Sequence, residues 1–157
     1  MKKTNAIREL ELNEIEHTVR EYEVDENNLD ALSVAIKTNE DVTKVFKTLV
    51  LLNEKKEMLV ACIPAIEKID LKKLAKLSGN KKIEMLPMKD LLATTGYLRG
   101  GCSPIGIKRK HSTYIHESAL DNEKILISGG LRGIQIEIEP RSLINYLKIK
   151  TGDIIEI

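Results

Sequence analysis

Two glycine-rich segments carry the residues best suited to chemistry, TGYLRGGCSPIG at residues 95–106 and SGGLRGIQ at residues 128–135. Seven of the nine glycines of the chain fall between residues 96 and 133. Glycine is needed where φ is positive or where a ligand approaches the backbone closely. Neither segment has the spacing of a phosphate-binding loop or of a dinucleotide fingerprint. The pattern therefore predicts either ordinary turns of a β-sheet or a pair of loops whose backbone N–H groups face an anion or oxyanion.

A lysine and a cysteine are the other candidates for chemistry. Lys47 interrupts the apolar run VFKTLVLL, where an ammonium group is uncommon, although the solvent face of an alternating strand would also accommodate it. Cys102 lies in the first glycine segment without a recognisable base, which favours a half-buried thiol over a nucleophile. The histidines have no partner acid at a recognisable spacing and are assigned to strands or to the surface: His17, His111 and His116.

The composition excludes several classes of protein. The formal net charge is +1, so a basic surface for nucleic acid must be local, as KRKH at residues 108–111 would be. Cys62 and Cys102 lack metal-ligand spacing, which predicts free thiols in a reducing cytosol and no metal. The longest apolar run, MLVACIPAI, is far shorter than the roughly 20 residues that span a bilayer. We expect a soluble, unexported cytoplasmic protein without a cofactor.

Helices and strands must position these residues, and the hydrophobic period changes between the two types several times along the chain. Helices are predicted after Thr4, over residues 29–36, from Asp70 to Gly79, in PMKDLLATTG and in PRSLINYLK. Strands are predicted in HTVREYEV, in the hairpin KVFKTLVLLNEKKEMLVACIPA, and in KKIEML, STYIHES, EKILISGG, GIQIEIEP and DIIEI. The connections are too short for regular crossover helices. We therefore predict one α+β domain over residues 1–157 with a mixed or antiparallel sheet.

Four segments in a fixed order give the chain a family resemblance: VFKTLVLL, IDLKKLAKLSGNKKIEM, TGYLRGGCSPIGIKRK and ISGGLRGIQIEIEP. With this order and spacing, the sequence from about residue 5 to 155 resembles the YbaK/EbsC-type aminoacyl-tRNA deacylases, relatives of the editing domain of bacterial prolyl-tRNA synthetases. The resemblance implies a compact domain around a mixed, barrel-like β-sheet surrounded by helices. It also implies hydrolysis of the ester that joins a wrong amino acid to tRNA.

The resemblance assigns roles to particular residues. Lys47 matches a lysine that holds the 3′-terminal nucleotide of the tRNA, and Thr48 follows it as a substrate contact. Residues that match the loop around the ester are Gly100, Gly101, Ser103 and Pro104. Residues that match the amino-acid pocket are Tyr22, Ser128, Gly129, Arg132 and Gly133. Two departures bear on amino-acid preference: either Leu29 or Leu32 replaces a family aromatic, in a region where the alignment needs a gap, and Gln135 stands where many members have Asp.

The resulting expectation is an enzyme that edits in trans, hydrolysing Cys-tRNA(Pro) and as a further substrate Cys-tRNA(Cys). An activated ester needs positioning and oxyanion stabilisation rather than a protein nucleophile, so the missing triad is no objection. Two alternatives stay open: an Ala-tRNA(Pro) deacylase of a sister branch, and a non-catalytic adaptor that binds tRNA or a synthetase. The expected partners are the 3′ end of an aminoacylated tRNA and, as an association the family allows, prolyl-tRNA synthetase.

Overall fold

The structure, a computed structural model, describes residues 3–157. Its α-helices are α1 (Asn5–Leu12), α2 (Ala31–Lys37), α3 (Leu71–Ser78), α4 (Leu91–Thr95) and α5 (Pro140–Leu147). Its strands are β1 (Thr18–Glu21), β2 (Phe46–Asn53), β3 (Met58–Pro64), β4 (Ile83–Met85), β5 (His111–His116), β6 (Ile125–Ser128), β7 (Ile134–Ile138) and β8 (Lys150–Gly152). Short 3-10 helices cover Val42–Lys44, Met88–Asp90 and Glu117–Asp121. The α+β class is confirmed.

The strands form two sheets of different character. The larger sheet has the order β4-β2-β3-β5-β8, in which β2 pairs antiparallel with β3 and β4, whereas β5 pairs parallel with β3 and β8. The smaller sheet, β1-β7-β6, is antiparallel throughout. The predicted mixture of parallel and antiparallel pairing is therefore present. Within residues 3–157 the sheets do not close into a complete barrel.

The outer edge of β2, the edge that does not face β3, is shared between the two sheets. A single parallel bridge joins Val45 to Leu126 of β6, and the pairing with β4 begins only at Leu51. Between them, the backbone N–H of Leu86 donates to the carbonyl of Val50 at 3.0 Å. Within the described part of the chain, residues 46–49 thus have no strand partner on this side. The division leaves an opening in the middle of the β-structure.

Both faces of the larger sheet are covered by apolar packing. All seven residues of β3 are buried. On one face, Ile7 and Leu10 of α1 and Leu143 of α5 join a cluster with strand residues of both sheets. On the other face, Leu74 of α3 packs in a cluster with strand residues. Burial of these side chains, each contributing about 1.5–3 kcal/mol, holds β2 and its neighbours in place.

Two predicted helix starts are confirmed by their caps. The Thr4 hydroxyl accepts a hydrogen bond from the backbone N–H of Ile7 at 3.1 Å, and it donates to the carbonyl of Gly129 at 2.6 Å. This second bond attaches α1 to the second glycine segment. Asp70 caps α3 by accepting from the N–H of Lys73, and Gly79 ends that helix with a φ of 72°.

Two elements differ from the predictions. The C-terminal strand β8 lies at Lys150–Gly152, before the predicted DIIEI, of which only Ile155 makes an isolated bridge, to Ile69. The reason is that Ile154 is buried and its backbone forms two separate hydrogen bonds instead of a strand ladder. Its N–H donates to the His116 ring nitrogen, and its carbonyl accepts from the N–H of Asp70. PMKDLLATTG is a 3-10 turn followed by the short α4, neither with a side-chain cap.

Candidate functional site

A cavity of about 230 Å³ lies at the opening beside β2. Its walls come from β2, from β6 and β7 of the smaller sheet, from the segment after β4, from the start of α2 and from the first glycine segment. The walls are mostly apolar, with polar groups at a few positions. Those polar wall residues are Tyr22, Asp30, Lys47, Thr48, Arg99, Ser128 and Gln135. A mostly apolar pocket with a few convergent polar groups is the usual form of a small-molecule site.

Lys47 lies on the cavity wall rather than on an open strand face. Its ammonium group is half-buried, and burial lowers the pKa of Lys47 below its ordinary value, although the nearby carboxylates of Asp30 and Glu67 partly oppose the shift. Within residues 3–157 no carboxylate oxygen lies within 4 Å of this ammonium group. A half-buried cation without an ion-pair partner is suited to binding an anionic ligand.

The neighbouring Thr48 also contributes to the wall. Its hydroxyl oxygen is buried and has no hydrogen-bond partner in the described part of the chain. Across the strand pair lies Cys62, whose thiol is near the Thr48 hydroxyl without forming a hydrogen bond of normal geometry. Burial raises the pKa of Cys62 to about 12, and the hydroxyl offsets this only partly. Thr48 is therefore a wall residue whose enclosed hydroxyl has an unused donor and acceptor.

In the first glycine segment, only part of the predicted ester loop faces the cavity. Gly100 lines it with a φ of +83°, and a Cβ there would lie 3.1 Å from the Leu29 Cβ. Gly101 is buried, with the Arg132 backbone nitrogen 3.1 Å from where its Cβ would be. Ser103 and Pro104 are buried outside the cavity wall, and the Ser103 hydroxyl accepts from the N–H of Ile105 at 3.3 Å. These two residues therefore belong to the buried part of the loop and not to the part that lines the cavity.

The second glycine segment contributes one residue that reaches the cavity before its turn, Ser128. The Ser128 hydroxyl accepts from the N–H of Gly130 at 3.2 Å. Gly129 lies outside the cavity wall, and so does Gly133, whose carbonyl accepts from the N–H of Tyr22 at 2.9 Å. This bond holds the pocket tyrosine beside the smaller sheet.

Arg132 connects the two glycine segments instead of lining the cavity. Its Nε donates to the carbonyl of Arg99 at 2.8 Å, and its Nη1 lies 3.5 Å from a carboxylate oxygen of Glu26. The hydrogen bond fixes the segment on which Gly100 lies. Arg132 is thus a structural link between the loops, and sequence spacing alone did not reveal this.

Gln135 is the most enclosed polar residue of the wall. It is 6% exposed, and within residues 3–157 its side-chain amide has no hydrogen bond to the protein. The amide offers a donor and an acceptor to a ligand but no charge. The amide atoms are not fully enclosed, so they can bond to a ligand in the cavity.

The thiols lack the environment of a nucleophile. Cys102 lines the cavity, but burial raises its pKa to about 11, and the Thr95 hydroxyl only reduces that shift. No histidine among the described residues lines the cavity. The same residues contain no group of three potential metal ligands. The arrangement can bind an anion and polarise a bound carbonyl group, but it has no nucleophile with a matching base.

Two charged wall residues were not predicted from the sequence. Asp30 precedes α2, and Arg99 precedes the glycine pair. The sequence did carry a local signal for Asp30, since Asp is a preferred residue at the N-cap of a helix. Nothing in that signal places it beside β2.

Comparison with known proteins assigns the fold and the cavity to a family. Residues 25–146 match the family described as the aminoacyl-tRNA editing domain. The chain belongs to this family. The editing domain so defined contains β2 to β7 and the complete cavity wall except Tyr22.

One relative and two solved structures extend the editing-domain match to nearly the whole chain. EbsC of Enterococcus faecalis, named as a proposed Cys-tRNA(Pro)/Cys-tRNA(Cys) deacylase, is 46% identical over 155 residues, covering 99% of this chain and 93% of that protein. A proposed trans-editing enzyme for prolyl-tRNA synthetase superposes with a TM-score of 0.82 at 20% identity, covering 100% of both chains. A protein described only as hypothetical superposes with a TM-score of 0.89 at 17% identity, covering 98% of this chain and 100% of that one. These two structures share the fold.

Proposed function

We propose that this editing domain, one unit over residues 1–157, is a free-standing deacylase that hydrolyses the ester of cysteine mischarged on tRNA for proline. Cys-tRNA(Cys) is proposed as a second substrate, since the relative from Enterococcus faecalis carries both substrates in its name. The observation that carries the proposal is the cavity, which combines the half-buried, unpaired Lys47 with a glycine-loop backbone and a neutral polar floor. The three groups match the phosphate, the ester and the side chain of an aminoacyl-tRNA end.

The residues divide the work of binding and activation. Lys47 holds a phosphate of the terminal nucleotide by charge. The backbone around Gly100 faces the ester carbonyl and stabilises negative charge on its oxygen. Thr48, Ser128 and Gln135 line the side-chain end of the pocket, where hydroxyl and amide groups contact the amino acid. Tyr22, the residue after β1, closes the pocket on one side.

The attacking group is supplied by the substrate. The cysteine thiol has a reference pKa near 8.5, so a fraction is thiolate at neutral pH. The thiolate sulfur attacks the ester carbonyl, the bond to the ribose oxygen breaks, and that oxygen takes a proton from water. Water then opens the resulting cyclic thioester and releases cysteine. The serine hydroxyl forms almost no alkoxide at neutral pH, and alanine has no side-chain nucleophile at all.

The alternative substrate is Ala-tRNA(Pro), which the two departures at the cavity wall favour. Leu29 supplies an aliphatic wall, and Gln135 supplies a neutral floor. Either would accept a methyl side chain, and a methylene-sized difference gives only about 10- to 200-fold discrimination by binding. A non-catalytic adaptor is less well supported, because the unpaired lysine and the loop backbone are both retained at the cavity.

The test is a single-turnover comparison of Cys-, Ser- and Ala-charged forms of one tRNA for proline. We expect hydrolysis of the cysteinyl ester to be at least about tenfold faster than that of the other two. Equal rates for alanine and cysteine would mean that a bound water attacks, and the alanine-editing function would replace this one. Hydrolysis of none of the three would leave the adaptor function.

Two further parts of the proposal concern cellular context. We propose that the enzyme works in the cytoplasm, where charged tRNA is used. No helix in the described part of the chain is long and apolar enough to cross a membrane. We also propose a transient association with prolyl-tRNA synthetase, the source of tRNA charged with the wrong amino acid. Analytical ultracentrifugation of the two purified proteins, with and without tRNA, would detect such a complex.

A further inference from the structure

The cavity has a strong asymmetry in charge. Among the described residues, Asp30 is the only carboxylate on its wall, whereas the inner polar groups, Thr48, Ser128 and Gln135, are neutral. Every aminoacyl ester carries an α-amino group next to its carbonyl, and such a group has a reference pKa near 7.7–8.0. A site that binds this ester must therefore receive a positive charge close to the reacting carbon.

The position of Asp30 is fixed by its own helix start. One carboxylate oxygen accepts from the backbone N–H of Ser33 at 3.0 Å, and the other accepts from the Ser33 hydroxyl at 2.7 Å. Each oxygen retains a second acceptor site, because a carboxylate has about four in total. Asp30 is exposed at the edge of the cavity, and these two bonds orient its carboxylate while each oxygen can still accept from a ligand.

Asp30 also lies next to the loop assigned to the ester. Leu29, which precedes it, is so close to Gly100 that a Cβ on the glycine would be 3.1 Å from the Leu29 Cβ and 3.2 Å from the Leu29 carbonyl oxygen. The ester carbonyl and the α-carbon are bonded neighbours in the substrate. A carboxylate adjacent to the ester loop is thus at the correct end of the cavity for the α-ammonium group.

The carboxylate is ionised over the relevant pH range. The hydrogen bond from the Ser33 hydroxyl, above all, lowers the pKa of Asp30 below its ordinary value, and the cation Arg99 contributes a small part. Lys47 is the second cation near it, since the Asp30 charge raises the pKa of that lysine. Among residues 3–157, no side-chain nitrogen of Lys, Arg or His lies within 4 Å of an Asp30 carboxylate oxygen.

We propose that Asp30 binds the α-ammonium group of the aminoacyl ester and so orients its carbonyl toward the Gly100 loop. The proposal rests on the proposed function, since it concerns the same cavity. Asp30 supplies a negative charge on the cavity wall, which the neutral amide of Gln135 does not supply.

The competing role is purely structural, because Asp30 caps α2. Asp41 provides a matched control: it caps the 3-10 helix at Val42–Lys44 with the same pair of bonds, from the N–H of Thr43 at 3.0 Å and from its hydroxyl at 2.7 Å. Asp41 is not on the cavity wall. Asn and Ser both cap helices well, so Asp30→Asn and Asp30→Ser remove the charge while they keep a helix cap. Asp41→Asn makes the same change at a cap outside the cavity.

The experiment uses two substrates that differ only in the amino group, cysteinyl-tRNA and its desamino analogue, 3-mercaptopropionyl-tRNA. For Asp30→Asn and Asp30→Ser we expect single-turnover rates on cysteinyl-tRNA to fall about tenfold, with rates on the analogue changing less than twofold. Asp41→Asn should leave both unchanged. An equal fall on both substrates, or no fall on either, would overturn the proposal, because a ligand for the amino group must discriminate between them.

A binding measurement distinguishes failure of the ammonium site from failure of the proposed deacylase function. The probes are 3′-deoxy-3′-(cysteinylamino)adenosine, an amide that cannot undergo ester hydrolysis, and its desamino form, each titrated calorimetrically. If the wild type hydrolyses no ester but binds the amine probe about tenfold more tightly, and Asp30→Asn abolishes that preference, the ammonium site stands and only the deacylase function fails. Equal affinity of the wild type for both probes would overturn the ammonium site.

Discussion

The two glycine segments look alike in sequence and do different work in the structure. In SGGLRGIQ, a Cβ on Gly129 would lie 2.6 Å from the Ile134 Cγ2, so the glycine is required for packing between β6 and β7. In TGYLRGGCSPIG, Gly100 faces the cavity and the residue beside α2. The glycine turn of the second segment packs the smaller sheet together, while the ends of that segment, Ser128 and Gln135, reach the cavity; in the first segment it is glycine backbone that faces a ligand.

The difference shows that glycine content marks close approach without saying what approaches. The first segment contains glycines of both kinds, those packed against protein and those facing the cavity. A Cβ on Gly106 would lie only 2.6 Å from the Tyr97 hydroxyl oxygen, and this hydroxyl donates to the carbonyl of Ile105. Only the stretch around Gly100 is open to a small molecule. Function is therefore expected to follow contact with the cavity and not membership of a glycine motif.

The largest effect is expected at Lys47, the charged residue of the cavity wall that lies on β2 itself. Lys47→Ala should lower the deacylation rate about 100-fold or more, because it removes an unshared cation at a site for anionic ligand, while thermal stability stays close to the wild type. Lys68→Ala is the control, since Lys68 is a nearby cation that does not line the cavity. A folded Lys47→Ala enzyme of normal rate would remove Lys47 from the site.

A paired glycine substitution tests the comparison directly. Gly100→Ala places a side chain at a φ of +83° against Leu29, so the rate should fall about tenfold with a stability loss of about 1 kcal/mol. Gly129→Ala should instead lower the free energy of unfolding by about 1–3 kcal/mol, because the new methyl meets Ile134, with the rate per folded molecule nearly unchanged. Chemical denaturation and single-turnover assays separate the two. The opposite assignment of rate and stability losses would invert our reading of the segments.

A smaller effect is expected in the pH profile. The profile is measured on 3-mercaptopropionyl-tRNA, which has no α-amino group to titrate, and its rate should rise as the substrate thiol ionises, near the reference thiol pKa of about 8.5. The rate should fall again at a pH below the ordinary lysine pKa of 10.5, because burial lowers the pKa of Lys47 and the cation is the binding form. In Lys47→Arg the falling limb should disappear, since a guanidinium stays charged. A falling limb unchanged in Lys47→Arg would show that another group causes it.

The smallest effect is expected at the cavity thiol. Cys102→Ser should change the rate less than about twofold, because burial raises the pKa of Cys102 to about 11 and leaves almost no thiolate at neutral pH. Mass spectrometry during turnover provides the second measurement. An acyl-enzyme on Cys102, or loss of activity in both Cys102→Ser and Cys102→Ala, would make the thiol a nucleophile.

Most of the helices and strands could be predicted from local sequence patterns. Local signals were sufficient where cap, periodicity and stop agree, as in α3 between Asp70 and Gly79, and in the hairpin of β2 and β3. They failed for DIIEI, where alternation predicted a strand. There, the backbone N–H of Ile154 bonds to His116 and its carbonyl accepts from the N–H of Asp70. Both partners are distant along the chain, so no local pattern predicts these bonds.

The site was only partly readable from the sequence for the same physical reason. Lys47 and the segment around Gly100 stood out because an ammonium in an apolar run and a glycine pair are locally unusual. Only the folded chain shows that part of one β2 edge is without a strand partner in residues 3–157, that Asp30 lies on the wall of the resulting cavity, and that Ser103 is buried outside that wall. A cavity is made by segments that are distant along the chain, so its wall depends on sheet order and packing rather than on any one motif.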